Sequence, residues 1–119
     1  MKKTLVIGAS ENPERYSYKA INMLRSFHHP VVAIGNKSGQ VADVTFGKVQ
    51  QDFDQIDTIT LYINPGRQPP YYHYFINLKP KRIIFNPGTE NQELEDLAQE
   101  NGIETLRACT LVLLSTGQY

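Results

Sequence analysis

The chain has 119 residues, 40% hydrophobic and 20% charged, a composition typical of one globular domain with a single core. Twelve basic residues balance twelve acidic ones, so net charge gives no long-range attraction to nucleic acid or to an anionic membrane. No segment approaches the ~18 apolar residues of a membrane helix. A secretory h-region is absent, and one cysteine cannot close an internal disulfide. We expect one cytoplasmic domain over residues 1–119, with no nucleic-acid or membrane partner.

Strand-like and helix-like segments alternate through the first half of the chain. An unbroken apolar run over residues 4–7 predicts a buried parallel strand that ends at Gly8. The next segment, about 17–28, predicts an amphipathic helix with Ser17 as its N-cap, ended by Pro30. After it we expect a buried strand over 31–34, a loop over 37–42, a short edge strand over 44–46, and a loop or single helical turn over 52–55.

The second half repeats the pattern. A strand over residues 58–63 ends at Asn64-Pro65-Gly66, and Pro69-Pro70 opens a helix. A strand over 82–85 is followed by Thr89, which has capping-box spacing to Gln92 and predicts a helix start. A last strand is expected over 103–106, whereas 110–119 has no clear element. The sequence therefore predicts an α/β fold: one Rossmann-like domain with a mostly parallel sheet of about five strands and helices on both faces.

Four loops follow the predicted strands, and together they indicate a binding cleft. They cover residues 8–15, 35–39, 64–66 and 86–89. Each contains an asparagine beside Pro, Gly or Lys, and such residues form tight turns that let a ligand approach the backbone. A single loop of this kind is explained as a turn. Open parallel sheets, however, bind ligands beyond the carboxyl ends of their strands, where we expect these loops to meet.

The first loop, Gly8-Ala9-Ser10, keeps only the first glycine of the dinucleotide fingerprint. A small residue and a hydroxyl still allow phosphate to approach backbone N–H groups. The loop is therefore of a nucleotide-binding type but a poor match for NAD.

The second loop contains Asn36-Lys37 where an NAD site needs an acidic residue for the ribose hydroxyls. With Arg15, this lysine favours a ligand with a phosphate on its ribose, either NADP or coenzyme A, although solvated surface charge explains either cation alone. The acidic residues Glu90, Glu93, Glu95, Asp96 and Glu100 are expected on the helix after Gly88. We therefore expect phosphates near Arg15 and Lys37, and the uncharged part of the ligand near Asn64 and Asn86.

An ordered set of short motifs resembles the small single-domain CoA-binding proteins of bacteria, which are similar to the CoA-binding domain of the succinyl-CoA ligase alpha subunit. The set is Gly8-Ala9-Ser10, Asn12-Pro13-Glu14-Arg15, Ser17-Tyr18, Asn36-Lys37, Asn64-Pro65, Phe85-Asn86-Pro87-Gly88 and Cys109. The resemblance implies a Rossmann-type fold that holds coenzyme A or an acyl-CoA. It places Gly8, Ala9 and Ser10 at the nucleotide phosphates or ribose and Lys37 on a phosphate. The other side of the cleft would be lined by Ile63, Asn64, Pro65, Asn86, Pro87 and Gly88.

No catalytic or metal-binding constellation is evident. The histidines lack partners at ligand spacing, Ser10 lacks a nucleophile elbow, and Cys109 is expected to be a buried, inert thiol. We therefore expect non-catalytic binding of coenzyme A or a short acyl-CoA. One alternative is a small NADP-binding oxidoreductase or redox-sensing domain. Another is an interaction subunit of a larger acyl-CoA enzyme, or a homodimer, with an interface at Tyr71, Tyr72 and Tyr74 or at the apolar tail.

Overall fold

A computed structural model describes all 119 residues and contains a five-stranded sheet with helices on both faces. The sheet strands are β1 (Thr4–Ala9), β2 (Val31–Gly35), β5 (Thr58–Leu61), β6 (Arg82–Phe85) and β7 (Glu104–Arg107); β3 (Gly39–Val41) and β4 (Val44–Phe46) form a separate hairpin. The helices are α1 (Tyr16–Ser26), α2 (Tyr72–Leu78), α3 (Gln92–Glu100) and α4 (Thr110–Ser115), with 3₁₀ turns at Pro65–Arg67 and Pro69–Tyr71. None of the helices combines the length and apolarity needed to span a bilayer.

All neighbouring strands of the main sheet run parallel, in the order β2-β1-β5-β6-β7. The chain moves outward from β1 to β2 and then returns to the other side of β1 to form β5. The topological switch point therefore lies between β1 and β5, and the carboxyl ends of these strands are the expected position for a ligand. This topology confirms the predicted α/β, Rossmann-like fold.

Side chains of successive strand residues enter two hydrophobic cores, one on each face of the sheet. Leu5 and Ile7 pack with residues of α2 and α3, while Val6 packs on the other face with α1 and α4. The strands lack polar alternation because helices cover both faces. Burial on both faces explains why the unbroken apolar runs marked these strands in the sequence.

The β3–β4 hairpin corrects the loop predicted over residues 37–42. Val41 pairs with Val44 and both are buried, while Ala42 between them adopts a left-handed backbone with φ of 53°. Two-residue hairpin turns are recognised in a sequence by Gly, Asn or Asp at such a position. Alanine there gives no turn signal, so the sequence pattern did not reveal the hairpin. Residues 52–55 form a loop without a helical turn.

Both predicted helix caps are wrong. Ser17 is buried inside the first turn of α1, and Arg15 occupies the N-cap position without a side-chain hydrogen bond. Asn91 caps α3 by accepting a hydrogen bond from the Leu94 N–H at 3.3 Å. Thr89 instead donates its hydroxyl to the carbonyl of Asn86 at 2.8 Å. Consequently α3 begins later than predicted, and Glu90 lies in the preceding loop rather than on the helix.

The last ten residues, which the sequence left unassigned, form α4 and a return segment. Leu114 of α4 is buried in the same core as α1. Tyr119 then reaches the amino-terminal ends of the strands, where its hydroxyl is hydrogen-bonded to Thr4. The buried Arg82 guanidinium lies over the Tyr119 ring, 4.4 Å from its centroid. The end of the chain is thus packed at the edge of the sheet opposite the switch point.

Candidate functional site

The four predicted loops surround one cleft of about 610 Å³ at the carboxyl ends of the strands. This volume lies within the ~300–1,000 Å³ typical of small-molecule sites. All predicted site residues except Pro65 and Asn86 line it, namely Gly8, Ala9, Ser10, Arg15, Asn36, Lys37, Ile63, Asn64, Pro87 and Gly88. Their assembly follows from the parallel sheet, because parallel strands bring their carboxyl ends to one edge.

The loop after β1 is shaped by close backbone packing and by its own side chains. Gly8 has φ of 94°, and a Cβ there would lie 3.0 Å from the carbonyl oxygen of Tyr62. Beyond it, the Ser10 hydroxyl accepts a hydrogen bond from the Asn12 N–H at 3.1 Å, and the Asn12 side chain accepts one from the Glu14 N–H at 3.0 Å. These local bonds hold the polar loop in a turn that opens toward the cleft.

The loop after β2 lies close against the first loop. A Cβ on Gly35 would approach the Ala9 carbonyl oxygen to 2.4 Å, so only glycine allows the two loops to meet. Asn36 and Lys37 follow and are exposed on the cleft. The side-chain oxygen of Asn36 accepts a hydrogen bond from the guanidinium of Arg67, which comes from the loop after β5.

Positive charge is concentrated in the cleft and is not neutralised by ion pairs. Arg15, Lys37 and Arg67 line it, whereas the three ion pairs of the molecule involve other cations. Glu11 is the single carboxylate of the lining, and one of its oxygens accepts a hydrogen bond from the Gln40 N–H at 2.9 Å. The lining therefore has an excess of cations suited to an anionic ligand. Arg67 was not among the predicted residues.

Asn86 lies beneath the cleft rather than on its surface. Its amide nitrogen donates to the Thr60 hydroxyl at 2.7 Å and to the Leu61 carbonyl at 2.9 Å, and its amide oxygen accepts from the Thr110 N–H at 2.8 Å. The buried side chain thus joins β5, β6 and the start of α4. Pro65, the other predicted residue outside the lining, is exposed and opens the first 3₁₀ turn.

Gln68 fixes two of the cleft loops and was missed by sequence reasoning. The side chain is fully buried, and its amide nitrogen donates to the carbonyls of Ile63 at 3.1 Å and Thr89 at 2.8 Å. Its amide oxygen accepts from the Asn91 side chain at 2.8 Å. The loops after β5 and β6 are therefore held together by one amide. A glutamine within a proline-rich loop gives no sequence signal for such a role.

Tyr62 supplies part of the cleft wall, and its hydroxyl is buried without a hydrogen-bond partner. Burial raises the pKa of this phenol well above its ordinary value, with hydroxyls of Thr110 and Thr60 nearby acting in the opposite direction. The side chain is thus a neutral part of the cleft wall at physiological pH. Cys109 lies outside the lining and is partly exposed, not buried as predicted.

The fold and the cleft define a class: a single Rossmann-like domain with a cleft lined by three cations at its switch point. A model of the CoA binding domain family matches residues 2–115, and the chain therefore belongs to this family. A solved structure described as an uncharacterized protein shares 49% identity, with a TM-score of 0.97 over 100% of this chain and 98% of that one. No match was found among curated proteins.

More distant structures agree in fold. A hypothetical protein from Pyrococcus horikoshii OT3 has 24% identity and a TM-score of 0.88, covering 97% of this chain and 82% of that chain. A protein from Thermus thermophilus, described as cell-free ID.343, has 17% identity and a TM-score of 0.86, with 99% and 90% coverage. At these identities the likeness concerns the fold, and the ligand has to be argued from the site.

Proposed function

We propose that the protein binds coenzyme A, free or carrying a short acyl group, in the cleft at the β1–β5 switch point and catalyses no reaction on it. The observation that carries the proposal is the set of unpaired cations, Arg15, Lys37 and Arg67, facing a glycine-containing turn. Coenzyme A presents phosphates at two places, in its diphosphate bridge and on its ribose. Family membership supports this cofactor over other phosphorylated nucleotides.

The proposed contacts divide the cleft into a charged side and a neutral side. On the charged side, the backbone of Gly8, Ala9 and Ser10 approaches the diphosphate, and Lys37 contacts the ribose phosphate. Arg15 adds positive charge beside the first loop, and Asn36 forms the rim.

The neutral side receives the pantetheine arm. Ile63 and Asn64 line it after β5, and Pro87 and Gly88 after β6. The Gly88 N–H donates to the Glu90 carboxylate at 2.9 Å, so a carboxylate already occupies the position that a phosphate would need there. Pro65 and Asn86 act by shaping the loops from outside the lining.

An NADP-binding function is the competing proposal, because Lys37 also suits the ribose phosphate of NADP. Thermal unfolding of the wild-type protein with CoA, acetyl-CoA, NAD and NADP separates the two. A ligand at ~100 times its Kd adds about 2.7 kcal/mol to the native state, which raises Tm by several degrees in a domain this small. We expect a shift with CoA and acetyl-CoA. A shift with NADP and none with CoA would refute the proposal.

A charge reversal tests the site itself. Lys37→Glu is expected to remove most of the CoA-induced shift in Tm. The matched control is Lys48→Glu, which changes another exposed lysine outside the lining. Equal CoA responses in the two variants would remove Lys37 from the site. Incubation of the wild-type protein with acetyl-CoA, followed by mass spectrometry, tests the absence of catalysis: thioester loss above the buffer rate would contradict it.

A further inference from the structure

Arg67 crosses the cleft between loops that are not neighbours in the sheet. It ends the 3₁₀ turn after β5, and its guanidinium donates a hydrogen bond to the side-chain oxygen of Asn36, which follows β2. In the sheet order, β1 lies between β2 and β5. The Arg67 side chain therefore passes over the carboxyl end of β1, where the turn beginning at Gly8 faces the cleft.

The base of Arg67 is fixed while its charged end is available. Its backbone N–H donates to the Asn64 carbonyl at 3.0 Å, and the next residue, Gln68, is fully buried. The exposed guanidinium has one neutral acceptor, Asn36, and no carboxylate partner. An arginine carries five N–H donors in a planar fork that matches phosphate oxygens, and most of these donors are free here.

We propose that Arg67 binds the diphosphate bridge of the coenzyme, so that the diphosphate and the ribose phosphate are recognised by different cations. The diphosphate in Rossmann-type folds lies over the turn after the first strand, which is where Arg67 passes. The ribose lies at the end of the second strand, beside Lys37. On binding, phosphate oxygens replace the Asn36 amide as acceptors for the guanidinium. The assignment rests on the proposed function.

This division of labour predicts different ligand dependence for two variants. Affinities for CoA and for dephospho-CoA, which lacks the ribose phosphate, would be measured by isothermal titration calorimetry. Arg67→Ala is expected to weaken both ligands by the same factor, about 10- to 100-fold for the loss of charge-assisted hydrogen bonds. Lys37→Ala is expected to weaken CoA and leave dephospho-CoA unchanged. Arg67→Lys, which keeps the charge without the fork, should bind both ligands with intermediate affinity.

Three results separate the possible failures. If Arg67→Ala binds both ligands like the wild type, or loses affinity for CoA alone, the diphosphate assignment is overturned. If the wild-type protein binds neither ligand, the proposed function itself is refuted. Lys48→Ala serves as the control for loss of an exposed charge outside the cleft. Because the Arg67 side chain is exposed, the ligand-free Tm of its variants should match that of the wild type, which excludes a folding defect as the cause.

Discussion

Replacing Asn86 by alanine would remove a buried amide shared by three elements of the fold. Its nitrogen lies 2.7 Å from the Thr60 hydroxyl and 2.9 Å from the Leu61 carbonyl oxygen, and its oxygen lies 2.8 Å from the Thr110 nitrogen. Thr60 keeps a second partner in the variant, because its hydroxyl is also 2.8 Å from that of Thr110. The Thr110 N–H and the Leu61 carbonyl would each lose the Asn86 side chain as a partner.

The expected cost follows from these contacts. A buried polar group left without a partner costs about 1–3 kcal/mol. Two such groups bring the loss for Asn86→Ala to about 2–6 kcal/mol, a large part of the ~5–15 kcal/mol that stabilises a typical domain. Asn86→Asp should keep one of the three hydrogen bonds, because its carboxylate can still accept from the Thr110 N–H. It loses both donated bonds and places a negative charge toward the Leu61 carbonyl.

Urea unfolding followed by far-UV circular dichroism measures this cost. The control is Asn64→Ala, because Asn64 is an exposed asparagine in the corresponding loop after β5 and its side chain makes no capping hydrogen bond. We expect the control to remain within about 0.5 kcal/mol of the wild type and to bind CoA more weakly. If Asn86→Ala keeps wild-type stability and loses CoA affinity, the side chain is a ligand contact and the reasoning is wrong.

Three further predictions concern stability. The pKa of His29 is lowered below 6.5, mainly by burial and to a smaller extent by nearby positive charges. As pH falls, the unfolded chain binds a proton at His29 before the folded protein does, so the free energy of unfolding should decrease below about pH 6.5. The decrease from pH 7.5 to 5 should be smaller in His29→Asn than in the wild type. An equal decrease in both would contradict this explanation. Gly35→Ala brings a Cβ to 2.4 Å from the Ala9 carbonyl oxygen, so it should lower the free energy of unfolding in urea by about 1–3 kcal/mol. In the control Gly47→Ala, the new Cβ has only one neighbour, at 3.7 Å, and stability should not change. Equal effects of the two substitutions would refute the packing argument. Tyr62→Phe removes a buried hydroxyl without a hydrogen bond, so it should leave the unfolding free energy unchanged or raise it by up to about 1 kcal/mol; a loss above 1 kcal/mol would reveal a partner for the hydroxyl.

Much of the fold was predictable because strands buried on both faces of a sheet form uninterrupted apolar runs in the sequence. The run at residues 4–7 is apolar without interruption, and the same holds for the strand at 31–34, so periodicity located the sheet. Helix starts were harder. Thr89 and Asn91 both have side chains that cap helices, and the choice between them depends on the hydrogen bond that Thr89 makes to Asn86. That bond spans only three residues, but the turn that allows it is held by contacts of the Asn86 side chain to Thr60, Leu61 and Thr110, which the local sequence does not show.

The cleft was predictable to the extent that parallel topology gathers loops at one edge. Predicting that Gly8, Asn36, Asn64 and Gly88 lie together required only that the strands be parallel. Arg67 was missed because its position over β1 depends on a 3₁₀ turn that aims the side chain across the sheet. A cation six residues beyond the end of β5 has no sequence pattern that distinguishes it from surface charge.

Gly47, which directly follows the β3–β4 hairpin, covers part of one edge of the main sheet. The Gly35 N–H donates to the Gly47 carbonyl at 3.0 Å, and Ile34 forms a parallel bridge with Gly47, so the outer edge of β2 has backbone partners at its carboxyl end. The opposite edge strand, β7, has only four residues and carries exposed Glu104 and Arg107 at its ends. Short edges with charged ends are poor templates for an added strand. The two edges of the sheet therefore differ in what opposes an added strand: backbone pairing at the carboxyl end of β2, and short length and charge at β7.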